Sequence, residues 1–459
     1  MNFPAVLSID FGSTYTKVGY RREMLQTKLG QHEETAQSML MDELALVPTL
    51  AIATGRQDKP WVFGPEAAGL NPGEGMEVFT NWKASLFNRD NNATTARSII
   101  IAEAFFRWLK DRIETAMQDM QHLHVRVMVP AFDDFEQLAD VMRQCMKLAG
   151  WKMKIEVCTE PHANALGLMT RGKNHYNIGT KSRGVDFMRM YGFNSSLIQG
   201  ARKLALSNNP PSDELRVAIL DVGSFTTDLA VLIFSLEANA VGDGLKKISQ
   251  KSYEIGAHTY LTEPLWKQLG EKYSANFSAA SFQFKEEIKR TIFAREPYAI
   301  MFGTQRREIG GEHDAAIIDK LIEDFALAIW RQVAQPLNDG RVSVVYLTGG
   351  GSQVPMLVEQ LQKLGACFAP VSSPVAPPIE SDKKQVHFVP WTQGGEKLER
   401  IATAIGGCGI IPPVVLREAP IGVPQLPSNA KQQPSSSFRS CSCGGNPDCK
   451  KCEGTGYIA

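Results

Sequence analysis

From Ala5 to Tyr20 the apolar and polar positions read as strand, glycine turn, strand: AVLSID, then FGST, then YTKVGY. Further on, Ile101, Phe105, Leu109, Ile113, Ala116 and Met120 recur at helical spacing, and Val125, Val127 and Val129 then alternate as in a strand. A second helical pattern, Leu138, Val141, Cys145 and Leu148, ends at Gly150, and KIEVCTE reads as the next strand. Strands alternating with helices favour an α/β sheet. Between about Thr170 and Leu215 no period is sustained and Gly, Asn and Ser accumulate, which reads as an insertion. Arg216 to Leu236 then repeats the strand, turn, strand text of the N-terminus. Helical patterns resume near His258, Phe284 and Ala315, and Val342 to Leu347 forms a short apolar strand before a glycine cluster.

Composition changes the picture at the C-terminus. Residues 412–440 hold six prolines among Ser, Gln and Asn, too little apolar surface to order themselves, so they read as a linker. The 459 residues are balanced in charge, 49 basic against 49 acidic, so no overall field recommends nucleic acid or an anionic membrane. Apolar runs such as Leu229 to Phe234 fall far short of the roughly 20 residues a membrane helix needs. The opening MNFPAVLSIDFG lacks the basic and apolar regions of a secretory signal, and a cytoplasmic location is expected.

The most informative comparison is internal. Leu7-Ser-Ile-Asp10-Phe-Gly12-Ser13-Thr14 and Ile219-Leu-Asp221-Val-Gly223-Ser224-Phe-Thr226-Thr227-Asp228 are both apolar strands ending in Asp-x-Gly-Ser. Such a strand delivers a carboxylate to its end and then turns backbone N–H groups and hydroxyls into one small volume, where phosphate oxygens fit and the carboxylates hold Mg²⁺. One copy is commonplace and reads as a hairpin turn. Two copies half a chain apart predict two lobes that face each other across a cleft. A third cluster, Gly349-Gly350-Gly351, follows the strand VSVVYL and precedes a helix near Pro355, where glycine lets backbone approach a ligand at a helix N-terminus.

Together these signals resemble the actin-like ATPases, and specifically the nucleotide-binding domain of the heat-shock-protein-70 (DnaK-like) family. Val129-Pro130-Ala131-Phe132, Leu148-Ala149-Gly150, Glu160-Pro161-His162-Ala163-Asn164-Ala165, Val47-Pro48-Thr49 and Val62-Phe63-Gly64 resemble family stretches in the family's order, over about residues 4 to 410. The resemblance implies a duplicated ribonuclease-H-like fold, with lobe I at 1–169, an insertion at 170–215 and lobe II at 216–411. It implies ATP or ADP as ligand, with Asp10 and Asp221 on Mg²⁺ through its water shell, and Gly12, Ser13 and Thr14 around the β- and γ-phosphates. Gly223 and Ser224 form the opposing turn in this scheme. Lys83 reaches the γ-phosphate, Glu160 orders water or metal, Thr226 lies beside the γ-phosphate and Asp228 near the attacking water. Gly256 sits where the family has a double glycine near the phosphates, Gly349 to Gly351 approach the nucleotide, and Glu286 and Lys289 flank adenosine. From spacing alone, Glu286 and Lys289 read as an exposed helical ion pair.

The chain also departs from the family. Ser224 and Phe225 replace the second and third glycines of the second turn, Ala257 replaces the second glycine after Gly256, and Gln353 stands where an arginine stacks on adenine. The proline-rich stretch from residue 412 does not resemble the peptide-binding domain that the family places there, so none is expected in this stretch. Instead Cys441-x-Cys443 and Cys449-x-x-Cys452, at 441–459, have the spacing of one tetrahedral Zn²⁺ site, and C-x-x-C-x-G-x-G resembles a unit of the DnaJ zinc region. A redox dithiol pair is the other reading of these cysteines. The function expected is a slow ATPase switch with a protein partner or co-chaperone. An actin-like filament protein, a metabolite kinase on the same fold and a nucleotide-bound adaptor remain as alternatives.

Overall fold

The computed structural model describes residues 2–3, 5–21, 24–25, 37–38, 46–87, 93–117, 124–171, 214–235, 245–277, 280–302, 304–339, 341–342, 344–366, 386–390, 398–408, 439–440 and 457–458. Nearly all of the insertion, the proline-rich linker and the four tail cysteines lie outside the described residues. The protein is mixed α/β.

Strands β1 (Val6–Phe11), β2 (Tyr15–Arg21) and β3 (Val47–Pro48) are followed by α1 (Trp82–Leu86), α2 (Ala93–Ala116), β4 (His124–Val129), α3 (Phe135–Leu148), β5 (Ile155–Thr159) and α4 (Glu160–Arg171). The second half runs β6 (Glu214–Val222), β7 (Thr227–Ser235), β8 (Leu245–Tyr253), α5 (Glu263–Tyr273), α6 (Phe282–Phe293), α7 (Ala315–Asp339), β9 (Val344–Thr348), α8 (Pro355–Ala366), β10 (His387–Pro390) and α9 (Leu398–Gly407).

The two main sheets repeat one topology. The first, of six strands, runs β5-β4-β1-β2, with β2 then pairing both β3 and Gln37–Ser38, and the second runs β10-β9-β6-β7-β8. In each, the first two strands form an antiparallel hairpin, the third pairs antiparallel to the second, and the last two join parallel to the first. The internal duplication read from Asp-x-Gly-Ser therefore extends to whole sheets. Strand β1 is buried at every position and β6 nearly so, as the central strands of covered sheets must be.

A separate apolar core fills each half. One gathers Leu7, Ile9, Phe11, Phe105, Phe106 and Val127, the other Leu220, Ile288, Ile322, Phe325 and Leu347. A small sheet of Ala51–Ala53, Trp61–Phe63 and Glu77–Phe79 adds to the first half. Its three-residue strands are too short to show a period in the sequence.

Helices α4 and α9 lie between the two sheets. Ala165 and Leu168 of α4 pack with Leu215, Val217 and Ile219 of the second sheet. Helix α9 follows the second half in the chain but packs on the first sheet: a Cβ at Gly19 would stand 2.3 Å from the Ala404 carbonyl oxygen, and Arg126 Nη1 donates to the Gly407 carbonyl at 3.0 Å. The sequence boundary of 216–411 therefore does not follow the packing at its end. The helices meet through backbone: a Cβ at Gly167 would lie 1.8 Å from Ala402 O, and one at Gly406 1.7 Å from Ala163 O.

Candidate functional site

Both hairpins deliver their acids to one crevice. Asp10 is the penultimate residue of β1 and Asp221 of β6, so each carboxylate emerges where its strand turns. The crevice is a cavity of about 530 Å³, lined from the first half by Asp10, Gly12, Ser13, Thr14, Lys83 and Glu160. From the second half come Asp221, Gly223, Ser224, Thr226, Asp228, Glu286, Lys289, Gly349, Gly350 and Gly351. Leu261, Phe293, Ala294, Val354 and Pro355 add an apolar stretch contributed by α6, α8 and the segment before α5. Gln353 lines it as well.

Gly256 does not line the cavity. A Cβ there would stand 2.1 Å from the Ser224 carbonyl oxygen, so its absent side chain lets the second turn lie on the backbone. That turn is closed by Gly223 N–H on Thr226 O at 2.9 Å, while Ala257 and His258 N–H groups take the Gly223 and Ser224 carbonyls at 3.0 and 2.8 Å. Phe225, where a glycine was expected, stands edge-on to Phe132 at 6.3 Å. Gly349 is required for another reason: its φ is +81°, and a Cβ would stand 2.1 Å from Asp221 Oδ1.

Lys83 follows Asn81, a left-handed residue at φ 52°, and Trp82, whose indole donates to Thr49 O at 3.0 Å. That anchorage aims the Lys83 ammonium at Glu160 Oε1, 2.5 Å away, with both side chains buried. The Phe11 and Phe87 rings lie 5.6 and 5.8 Å from the ammonium. Glu286 and Lys289 form the i,i+3 ion pair their spacing suggests, on the cavity wall and largely sheltered from solvent.

The sequence did not single out Lys17, Asn164 or Ser252. Lys17 pairs with Asp10 at 2.8 Å from the facing strand. Its register equivalent in the second hairpin is Asp228, which faces Asp221. The internal repeat carried that signal: seven residues after each acid stands a charged residue, with its sign reversed between the copies. Asn164 of α4 donates through Nδ2 to Asp221 Oδ2 at 2.7 Å and to Thr403 Oγ1 at 3.2 Å, and Thr348 Oγ1 donates to its Oδ1 at 3.4 Å. One amide thus joins α4, α9, β6 and β9 at the cavity floor.

Four of the cavity's carboxylates, Asp10, Glu160, Asp221 and Asp228, line it together with two of its lysines, Lys17 and Lys83. Burial pushes Asp221 and Asp228 up to about 7, with Asp221 adding to the rise at Asp228. Glu160 is raised as well, because desolvation and the charges of Asp228 and Asp10 outweigh Lys83. The acids feel one another's charge, so Asp10 and Asp221 face the same crevice. A dication would relieve that repulsion. Among the described residues no three His, Cys, Asp or Glu side chains converge as a metal-ion cluster. Ser13 Oγ is buried with no hydrogen-bond partner, an orphan hydroxyl on the cavity wall.

The chain matches no protein-family model and no curated protein.

Proposed function

We propose that this chain is an ATP-binding and hydrolysing switch on a duplicated ribonuclease-H-like, actin-like ATPase fold, of the heat-shock-protein-70 type. The observation that carries this reading is the repetition of one sheet topology in both halves, each presenting its Asp-x-Gly-Ser turn to one crevice beside the buried Lys83–Glu160 pair. The polyphosphate lies between the turns, with Gly12, Ser13, Thr14, Gly223 and Ser224 supplying N–H groups and hydroxyls to its oxygens. Ser13 Oγ gains there the partner it lacks. Adenosine lies toward Glu286, Lys289, Phe293 and the Gly349–Gly351 turn.

Asp10 and Asp221 would hold Mg²⁺ through its water shell, and the bound ion would supply charge neutralisation to the polyphosphate. Lys83 and Lys17 bring two further positive charges to oxygens whose negative charge shifts during transfer. Asp228 accepts a proton as water forms its bond to the γ-phosphorus, and the bond to the β-bridging oxygen breaks to leave ADP and orthophosphate. Positioning and charge do most of the work in such a transfer. Changes of nucleotide state would reach a protein partner through the linker and the cysteine tail.

Zn²⁺ in that tail is part of the same proposal. Cys441, Cys443, Cys449 and Cys452 have tetrahedral-site spacing, and Arg439–Ser440 pairs antiparallel with Tyr457–Ile458, closing the two ends of the cysteine segment on each other.

Measuring ATP binding and orthophosphate release tests the ATPase reading. Wild type is expected to do both, and Lys83→Ala to keep ADP affinity but release phosphate about a hundredfold more slowly or worse. A wild-type chain that neither binds nor cleaves ATP with Mg²⁺ ends the proposal.

A further inference from the structure

Asp228 is gripped by two hydroxyls. Thr226 Oγ1 donates to Oδ2 at 3.1 Å, and Ser252 Oγ donates to Oδ1. Ser252 lies opposite Asp228 in the β7–β8 register. Its hydroxyl has a second neighbour from the other half of the molecule: the Ala131 N–H, in the turn after β4, donates to Ser252 Oγ at 2.7 Å. The Ser252 N–H answers on the Ala131 carbonyl at 3.2 Å.

A serine hydroxyl carries a single hydrogen. With an N–H arriving from Ala131, a lone pair must face that side, and the hydrogen is directed to Asp228. Ser252 is 4% exposed, so bulk water does not take over either contact. The seam continues along the same strand: Gln250, two residues away and on the same face, accepts from Thr159 Oγ1 at 2.6 Å. Phe225 meets Phe132 beside it. Separation of the halves here would withdraw the Ala131 N–H, free the Ser252 hydroxyl to rotate, and release one oxygen of Asp228.

We propose that Ser252 is a positioning residue that ties the seating of the two halves to the orientation of Asp228, so that the carboxylate is set for attack only while the Ala131–Ser252 seam is closed. This rests on the ATPase reading, with Asp228 as the proton acceptor. The seam makes cleavage, rather than nucleotide binding, sensitive to the relative position of the halves.

Single-turnover cleavage of Mg²⁺-ATP, ADP affinity and thermal melting of the full chain test it, in wild type, Ser252→Ala, Asp228→Asn and the double variant. Ser252→Ala is expected to retain ADP affinity within about twofold and to cleave roughly tenfold more slowly or worse. In the Asp228→Asn background it is expected to change nothing further, because its effect passes through that carboxylate. Should the alanine variant not fold, Ser252→Cys, close in size but a weak donor, gives the same reading. Cleavage at the wild-type rate by a folded Ser252 variant overturns the inference, as does an equal loss in both Asp228 backgrounds, which marks a structural effect. A wild type that does not cleave ATP removes the ATPase reading itself.

Discussion

At the scale of single residues, burial decides how far up the pH scale Asp221 and Asp228 hold their protons. Asp221 and Asp228 keep their protons in the folded protein to about pH 7, well above the ordinary carboxylate range, because burial penalises the charged forms. Between pH 4 and 7 the folded chain therefore binds more protons than the unfolded chain, and this contribution to stability is lost as pH rises through that window. The expected slope is up to about 1.4 kcal/mol per pH unit for each group. Urea midpoints of the nucleotide-free protein should fall from pH 5 to 7, and less steeply in an Asp221→Asn/Asp228→Asn variant. Mg²⁺ with ADP should flatten the wild-type trend by favouring the ionised acids. A midpoint indifferent to pH in wild type and variant alike contradicts this account. Asp10, Asp221 and the glycine turns were legible in the sequence because a repeat exposes them. Asn164 and Ser252 were not, since their contacts reach partners such as Asp221 and Ala131, 57 and 121 residues away, which no local pattern records.

Among elements, the duplicated hairpins were readable because their apolar alternation is strong and their turns carry glycine. Strand β8 was not: in LKKISQKSY charged and polar residues dominate, and its buried positions, Ile248, Ser252 and Tyr253, form no apolar alternation along the strand. The crossing of α4 and α9 was also hidden, because glycine inside a helical pattern reads as a weak point rather than a contact. Gly167 and Gly406 are there because the opposing backbone occupies the space of a side chain. Gly406→Ala places a methyl 1.7 Å from the Ala163 carbonyl oxygen and 2.5 Å from Gly167 N, atoms that cannot rotate away. It should destabilise the protein by roughly 3 kcal/mol or more. Gly69→Ala, with no atom within 4 Å of the new Cβ, serves as the neutral comparison. Denaturant midpoints compare the two, and a folded Gly406→Ala chain of wild-type stability would refute the close crossing.

For the whole molecule, the prediction concerns independence. The described cavity draws no residue from beyond Thr403, so removing residues 413–459 should leave ADP affinity within about twofold of wild type while abolishing bound zinc. Elemental analysis should find one zinc per intact chain and less in Cys449→Ser/Cys452→Ser. An intact chain without zinc dismisses the metal reading of the tail. Domain limits were harder to read than motifs, since α9 follows the second half in sequence yet also packs on the first sheet. Helix α4 belongs to the first half in sequence and packs on the second sheet, and the two helices pass with backbone against backbone at Gly167 and Gly406. Backbone this close at Gly167 and Gly406, with Asn164 bonded to Thr403 across the same contact, opposes sliding more than rotation. If the crossing serves as an axle, the floor of the crevice moves less than its rim, and under the ATPase proposal the escape of a nucleotide would be decided at the lip rather than at its phosphates.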